Sequence, residues 1–271
     1  MPELPEVETI RKGLEPVLVS SVIAAIQTKR EGLRFPFPSA LSSLIGRRII
    51  GVSRRSKYLL IDLDDGRKIL CHLGMTGRFR FDEASEKHDH LVIDIVTLSG
   101  NSLVLTYNDP RRFGFIDIVE ANGKNRFLDN LGPEPLDPSF TSAVLRGNIA
   151  LRSAPIKTAL MDQHVVAGVG NIYACEALYQ AGIAPTRPAK ELSAADADTL
   201  VSALRSILLD SIEYGGSTLK NYRKTDGEKG AFQERFAVYG KEGKKCPHDH
   251  IIQKVVQSGR STFFCSVCQS G

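Results

Sequence analysis

The chain has 271 residues, 42% apolar and 24% charged, which is the composition of a soluble globular protein long enough for one large domain or two ordinary ones. A net charge of +4 is compatible with a polyanionic partner without singling one out. No run of 18 apolar residues exists to cross a bilayer as a helix. The acidic start MPELPEVETIRKG lacks the basic-then-apolar order of a secretory signal, so the expected compartment is the cytoplasm.

In chain order, Val7, Ile10, Leu14 and Val17 recur at helical spacing, with Pro5 and three glutamates near the start, where a helix favours proline and anions. Strands are predicted at 58–63 and 68–73 around Asp64-Asp65-Gly66, at 91–98 and 103–107 around Ser99-Gly100-Asn101, and at 115–119. This pattern predicts an antiparallel sandwich or barrel. The segment LGPEPLDPSF (131–140) reads as a linker, and the chain beyond it is helical in pattern as far as Gly215. There Ser193 with Asp196 resembles a capping box ahead of the stripe Leu200, Leu204, Ile207, Leu208 and Ile212. Residues 217–230 are polar and predict a long loop. The expected organisation is therefore 1–130, 131–236 and a cysteine-bearing tail, 237–271.

Two places carry chemistry. Removal of Met1 would leave Pro2 with a free secondary amine, able to attack an electrophilic carbon and form an iminium. An α-amino group has a reference pKa of about 7.7–8.0, so an appreciable neutral fraction exists where a lysine would be protonated. The positive end of a helix lowers that pKa and Glu3 and Glu6 oppose the change. The plainer alternative is that Pro2 and Pro5 only start a helix. The second place is the tail, where Cys246, Cys265 and Cys268 cluster. Cys71 and Cys175 stand alone in apolar stretches and read as small buried hydrophobes. Basic pairs at Arg47-Arg48, Arg54-Arg55-Ser56-Lys57, Arg111-Arg112 and 241–245 taken singly are solvated surface.

The start MPELPEVETIRKGLEP closely resembles the formamidopyrimidine-DNA glycosylase family. The similarity continues in order through RRSKYLL (54–60), HLGMTGRFRF (72–81), KHDH (87–90), NDPRRFG (108–114), LGPEP (131–135), GVGNIYACEAL (168–178), GGSTLKNY (215–222), AVYG (237–240) and SGRSTFFCSVCQ (258–269). The resemblance implies an α+β fold: an N-terminal antiparallel β-sandwich with a leading helix, a helical helix–two-turn–helix domain and a C-terminal zinc β-hairpin finger. It implies a bifunctional glycosylase and lyase of base-excision repair that flips an oxidised purine out of double-stranded DNA. Catalysis would fall to Pro2 as nucleophile, Glu3 as general acid, and Lys57 and Arg260 in strand cleavage, with Glu6 and Glu176 as supporting carboxylates. Met75, Arg111 and Phe113 match void-filling positions. His88, Arg111, Arg152, Lys157 and Asn171 match contacts to DNA. Residues 217–230 match a segment closing over the everted base. A monomer is the family expectation.

The finger departs from the family's four-cysteine zinc hairpin. Cys265 and Cys268 form the second C-x₂-C pair, but CPHDHII (246–252) holds one cysteine only. A Cys₃His site with one structural zinc is the expectation. His248 matches the spacing of the missing cysteine, counted back from Cys265. His250 gives a roomier loop from Cys246 and is the preferred fourth ligand, with Asp249 third. A finger without metal, resting on its apolar hairpin, is the contrary case. Two rival functions remain. One is the sister branch acting on oxidised pyrimidines, which ELPEVE and NDPRRFG disfavour. The other is a non-catalytic zinc protein binding nucleic acid, which would have no use for Pro2, Glu3 and Lys57 together.

Overall fold

The computed structural model describes residues 2–217, 228 and 230–270, in two compact units: 1–129 with 214–233, and 130–213 with 234–271. The first unit opens with α1 (Leu4–Leu18), whose apolar face Leu4, Val7, Ile10, Leu14 and Leu18 is wholly buried. Strands β1 (Val22–Thr28), β2 (Ile49–Arg55), β3 (Tyr58–Leu63), β4 (Lys68–His72), β5 (Arg78–Phe81), β6 (Asp89–Val96), β7 (Ser102–Asn108) and β8 (Phe115–Val119) follow. They form two four-stranded antiparallel sheets, ordered β1-β6-β7-β5 and β2-β3-β4-β8.

Both sheets feed one core. Ile23, Ile93, Ile95, Leu105 and Phe79 from the first sheet cluster with Val52, Leu59, Ile61, Leu63, Ile69 and Ile116 from the second, under α1. The period of two is visible in β3, where Leu59, Ile61 and Leu63 enter this core. Leu60 faces the other way, into a smaller cluster with Leu70, Phe115 and Val119, lidded by Phe35, Tyr58 and Phe127. The sandwich and both anticipated hairpins are present. Strands β1, β2 and β5 extend the pattern beyond the segments predicted from sequence.

The second unit carries α2 (Ser142–Ile149), α3 (Ile156–Leu160), α4 (Asn171–Gln180) and α5 (Ala194–Glu213), then the hairpin β9 (Gln253–Gln257) and β10 (Arg260–Phe264). The capping box forms: Asp196 N–H donates to Ser193 Oγ at 3.1 Å and Ser193 N–H to Asp196 Oδ2 at 3.0 Å. The proline-rich linker is ordered by Arg205 of α5. Its guanidinium donates to the carbonyls of Pro135 (3.2 Å), Asp137 (2.9 Å) and Phe140 (2.6 Å). The loop expected at 217–230 lies almost entirely outside the described residues. Among the described residues no helix is long and apolar enough to cross a membrane.

One buried ion pair stands out in the sandwich. Arg80, 3% exposed, meets Asp89, 4% exposed, at 2.5 Å, and Asn108 Nδ2 donates to the same carboxylate at 2.8 Å. Burial acts to raise the Asp89 pKa, but the Glu86 N–H, Asn108 and Arg80 outweigh it and hold the carboxyl below its ordinary value. Removing Asp89 takes away the buried partner of Arg80 and leaves it only the exposed carboxylates of Glu83 (3.1 Å) and Glu86 (3.6 Å). Asp89→Ala is expected to cost on the order of 3–5 kcal/mol in urea unfolding, and a loss under about 1 kcal/mol would show that the pair is dispensable.

Candidate active site and metal centre

Pro2 and Glu3 precede α1, and both are buried. Glu3 is extended (φ −108°, ψ −170°), and its N–H donates to Glu6 Oε2 at 2.9 Å, closing the first helical turn. Glu6 also receives the N–H (2.7 Å) and hydroxyl (2.9 Å) of Ser217 on Oε1. One carboxylate therefore clips the start of the chain to the first residue of the segment that matched the base-capping loop.

Helix α1 is laid along β2 in a definite sense. Arg11 donates to the Val52 carbonyl at 3.3 Å, and Glu8 pairs with Arg54 at 3.1 Å. Moving toward the helix N-terminus thus means moving toward residue 57. Ser56 and Lys57 form the two-residue turn between Arg55 and Tyr58, with Ser56 at φ 56°, the left-handed conformation such a hairpin requires at its first position. Lys57 is 7% exposed. The fold accordingly brings the Pro2 end of the helix and the Lys57 turn to the same end of the sheet.

His72, the last residue of β4, was not singled out from sequence. Its ring stacks on Phe115 (5.2 Å between centroids, 21° between planes) and its Nδ1 accepts the Gly74 N–H at 3.1 Å, which leaves the proton on Nε2. Burial first, then the positive charges of Lys57 and Arg34, push its pKa down to about 4. It is a neutral donor beside a cation. The signal was its place beside Met75 in HLGMTG, hidden because one histidine in an apolar run reads as core.

Met75 is 37% exposed and Phe113 48% exposed, on turns whose flanking residues Gly74, Thr76 and Gly114 are buried. The Arg111 guanidinium lies over the Phe113 ring at 4.8 Å. His88 is half-buried just before β6, its carbonyl accepting from Asp109 N–H at 3.0 Å.

In the second unit Asn171 opens α4 directly after Gly168 (φ 82°) and Gly170, its Nδ2 donating to the Ser261 carbonyl (2.9 Å) and the Tyr239 hydroxyl (3.3 Å). Glu176, one helical turn further on, accepts the N–H groups of Ala237 (2.7 Å), Val238 (3.0 Å) and Tyr239 (2.7 Å). Burial pushes its carboxyl up and these three donors oppose it. Its place in the fold is thus to hold the AVYG segment to α4. Lys157 of α3 is fully buried. Arg152 pairs with Asp162 at 2.6 Å, an acid that also accepts from His164. Arg260 is exposed immediately after the Ser258-Gly259 turn, whose two positive φ angles (49° and 72°) are those of a tight hairpin.

In the finger, His250 is the histidine that groups with the three thiols. Cys246, His250, Cys265 and Cys268 place one donor atom each within 4.8 Å of one another. Cys246 Sγ lies 3.8 Å from both Cys265 Sγ and Cys268 Sγ, and His250 Nδ1 lies 3.3 Å from Cys268 Sγ and 4.0 Å from Cys246 Sγ. Tetrahedral bonds of about 2.3 Å to sulfur and 2.0 Å to nitrogen give edges of about 3.8 and 3.5 Å, so the donor set fits one structural zinc. His248 Nδ1 reaches Cys268 Sγ (3.4 Å) and the Tyr179 hydroxyl (3.4 Å) but stands outside the four-donor cluster, and Asp249 is exposed with Lys245 as its partner.

Three family profiles match the chain. The formamidopyrimidine-DNA glycosylase N-terminal domain matches residues 1–116, the formamidopyrimidine-DNA glycosylase H2TH domain 131–223, and the zinc finger found in FPG and IleRS 243–271. A formamidopyrimidine-DNA glycosylase of Cereibacter sphaeroides is 46% identical over 286 residues, covering 99% of this chain and all of that one. Among solved structures, the MutM (Fpg) protein of Thermus thermophilus superposes with a TM-score of 0.87 at 40% identity, over 99% of this chain and 98% of that one. A Lactococcus lactis Fpg variant in complex with Fapy-dG-containing DNA does so at 0.89 and 34% identity, over the whole of both chains. By profile, by identity over its length and by fold, the chain belongs to the formamidopyrimidine-DNA glycosylase family.

Proposed function

We propose that this protein is a bifunctional DNA glycosylase and lyase that removes oxidised purines, 8-oxoguanine and formamidopyrimidines, from duplex DNA and nicks the strand. The observation that carries it is the burial of Pro2 and Glu3 at the end of α1 that points toward the Lys57 turn. A helix start used only for capping has no need of a lysine turn beside it.

With Met1 removed, the Pro2 nitrogen attacks C1′ of the everted nucleotide and the damaged base leaves. Glu3 protonates the sugar as its ring opens, and the bond to C1′ becomes an iminium. The iminium makes the C2′ protons acidic, so β-elimination expels the 3′ phosphate and δ-elimination the 5′ phosphate. Lys57 holds a phosphate next to the reacting sugar, and Arg260 serves δ-elimination from the finger. Met75, Arg111 and Phe113 fill the space the base has left. His88, Arg152 and Asn171 contact the backbone, since charge, amide and imidazole donors suit phosphate, and Lys157, fully buried in α3, supports that phosphate-binding region from beneath. Three working segments (1–130, 131–236 and 237–271) and a cytoplasmic monomer complete the proposal. The zinc would be held by Cys246, His250, Cys265 and Cys268 and would shape the hairpin bearing Arg260.

On a duplex carrying 8-oxoguanine opposite cytosine, borohydride is expected to trap the protein covalently at Pro2. Glu3→Gln is expected to abolish base release while keeping duplex affinity within a few-fold, and Glu3→Gln activity equal to wild type would remove Glu3 as the acid. Parallel duplexes with thymine glycol decide between purine and pyrimidine branches. Zinc content measured by atomic absorption separates the two histidines. His250→Ala is expected to lose the metal and weaken DNA binding at least tenfold, whereas His248→Ala keeps both. The reverse pattern would hand the fourth position to His248.

A further inference from the structure

Asp109 is fully buried two residues before Arg111, and both its backbone and its carboxylate are engaged. Its N–H donates to the His88 carbonyl at 3.0 Å, and its own carbonyl accepts from the Arg112 N–H (3.2 Å) and from His90 Nε2 (2.9 Å). A carbonyl only accepts, so the buried His90 carries its proton on Nε2. On the side chain, Oδ2 takes the Gly114 N–H at 2.9 Å. Oδ1 takes the Thr76 hydroxyl and, more distantly, the Arg111 N–H at 3.3 Å. Thr76 Oγ1 in turn accepts the Arg111 N–H at 3.1 Å.

Two surface turns therefore share one buried carboxylate, and they also touch backbone to backbone. Gly74 sits at φ 61°, and a Cβ there would lie 2.3 Å from the Gly114 nitrogen and 2.5 Å from the Phe113 carbonyl carbon. A Cβ on Gly114 would lie 2.0 Å from the Tyr107 hydroxyl and 2.6 Å from the His72 carbonyl oxygen. No side chain fits at either position without shifting backbone. Met75, Arg111 and Phe113 project from this locked base.

We propose that Asp109, acting through Thr76, is a positioning residue that makes the Met75 turn and the Arg111–Phe113 turn one rigid wedge, held in register with the His88 loop. The three side chains then enter the duplex as a unit. This rests on the void-filling role given to them above. Two independently moving turns would each lose order on insertion, whereas one preassembled wedge has already met that cost in folding.

Thr76→Val removes the hydroxyl at nearly constant shape, and Thr76→Ser keeps it. Insertion is followed by stopped-flow fluorescence of 2-aminopurine beside the lesion, together with single-turnover excision from an 8-oxoguanine·cytosine duplex. Borohydride trapping on a single-stranded abasic oligonucleotide reports the chemistry without a wedge. Thr76→Val is expected to slow insertion and duplex excision about tenfold, the scale of a small misplacement of a working group. Trapping on the single strand should stay within twofold, and Thr76→Ser should match wild type throughout. Added to Phe113→Ala, Thr76→Val should cost less than its effect alone, because both act on one unit. Equal losses on both substrates, multiplicative losses in the double variant, or an unchanged Thr76→Val would each overturn the proposal. Unimpaired duplex excision by Met75→Ala and Phe113→Ala would instead remove the wedge reading beneath it, and that result does not involve Thr76.

Discussion

A nucleophile that is the end of the chain is restrained covalently on one side only. A side-chain nucleophile inherits its position from a strand or helix that continues in both directions, but Pro2, in the role proposed for it, must be held by whatever α1 can grip. The grip has two parts. Along its length α1 is fixed to β2 by its buried apolar face and by Glu8–Arg54 and Arg11–Val52. At its tip the Glu3 N–H is fixed by Glu6. The Lys57 turn and His72 stand on the strands that α1 lies against or their neighbour.

The same device recurs at three places. Glu6, Asp109 and Glu176 are buried carboxylates that accept backbone N–H groups of irregular segments: Ser217 and 237–239 from far along the chain for the two glutamates, and Gly114 with Arg111 of its own turn for Asp109, which also takes the remote Thr76 hydroxyl. A turn or a chain end has N–H groups with no ladder partner, and burying one unsatisfied costs about 1–3 kcal/mol. An ionised carboxylate has four acceptor sites and makes the stronger, charge-assisted bond. It can therefore hold an irregular segment with the definition of a strand. This explains acidic residues in the interior of each unit of a protein proposed to bind a polyanion: they face backbone donors, while Arg111 and Arg260 remain at the surface.

What could be read from sequence was what is local. The α1 stripe, the 58–63 and 68–73 hairpin and the Ser193–Asp196 cap each fall within about fifteen residues, and each formed, with Leu18 in place of the expected Val17 at the end of the stripe. Strand β5 escaped because RFRF places a cation where a strand needs an apolar residue. Arg80 is buried with Asp89, across a loop, as its buried counter-charge, and with Glu83 and Glu86 at its outer side. Sheet order was equally hidden, since β1 pairs with β6 through a register that no periodicity encodes. In the site, Pro2, Glu3 and Lys57 were found by motif. Asp109, in NDPRRFG, looks like an ordinary turn aspartate, and only the return of the Met75 turn makes it a hub.

The fourth donor of the finger shows why spacing underdetermines a metal site. Counting along the chain put His248 where a cysteine was missing, because it assumed equal reach for the two side chains. An imidazole is longer than a thiol, and the extra turn of backbone takes up the difference. Asp249 adopts φ 63°, its N–H returns to the Cys246 carbonyl at 2.9 Å, and the Cys246 N–H reaches the His250 carbonyl at 2.8 Å. That small closed loop carries His250 back over the thiols. The change also alters charge. Four thiolates around a divalent ion leave two negative charges, and three thiolates with a neutral imidazole leave one. With zinc held by the proposed ligands, the hairpin presenting Arg260 would repel phosphate less than a four-cysteine finger would, and a ligand change that keeps the geometry would also favour the surface proposed to meet DNA.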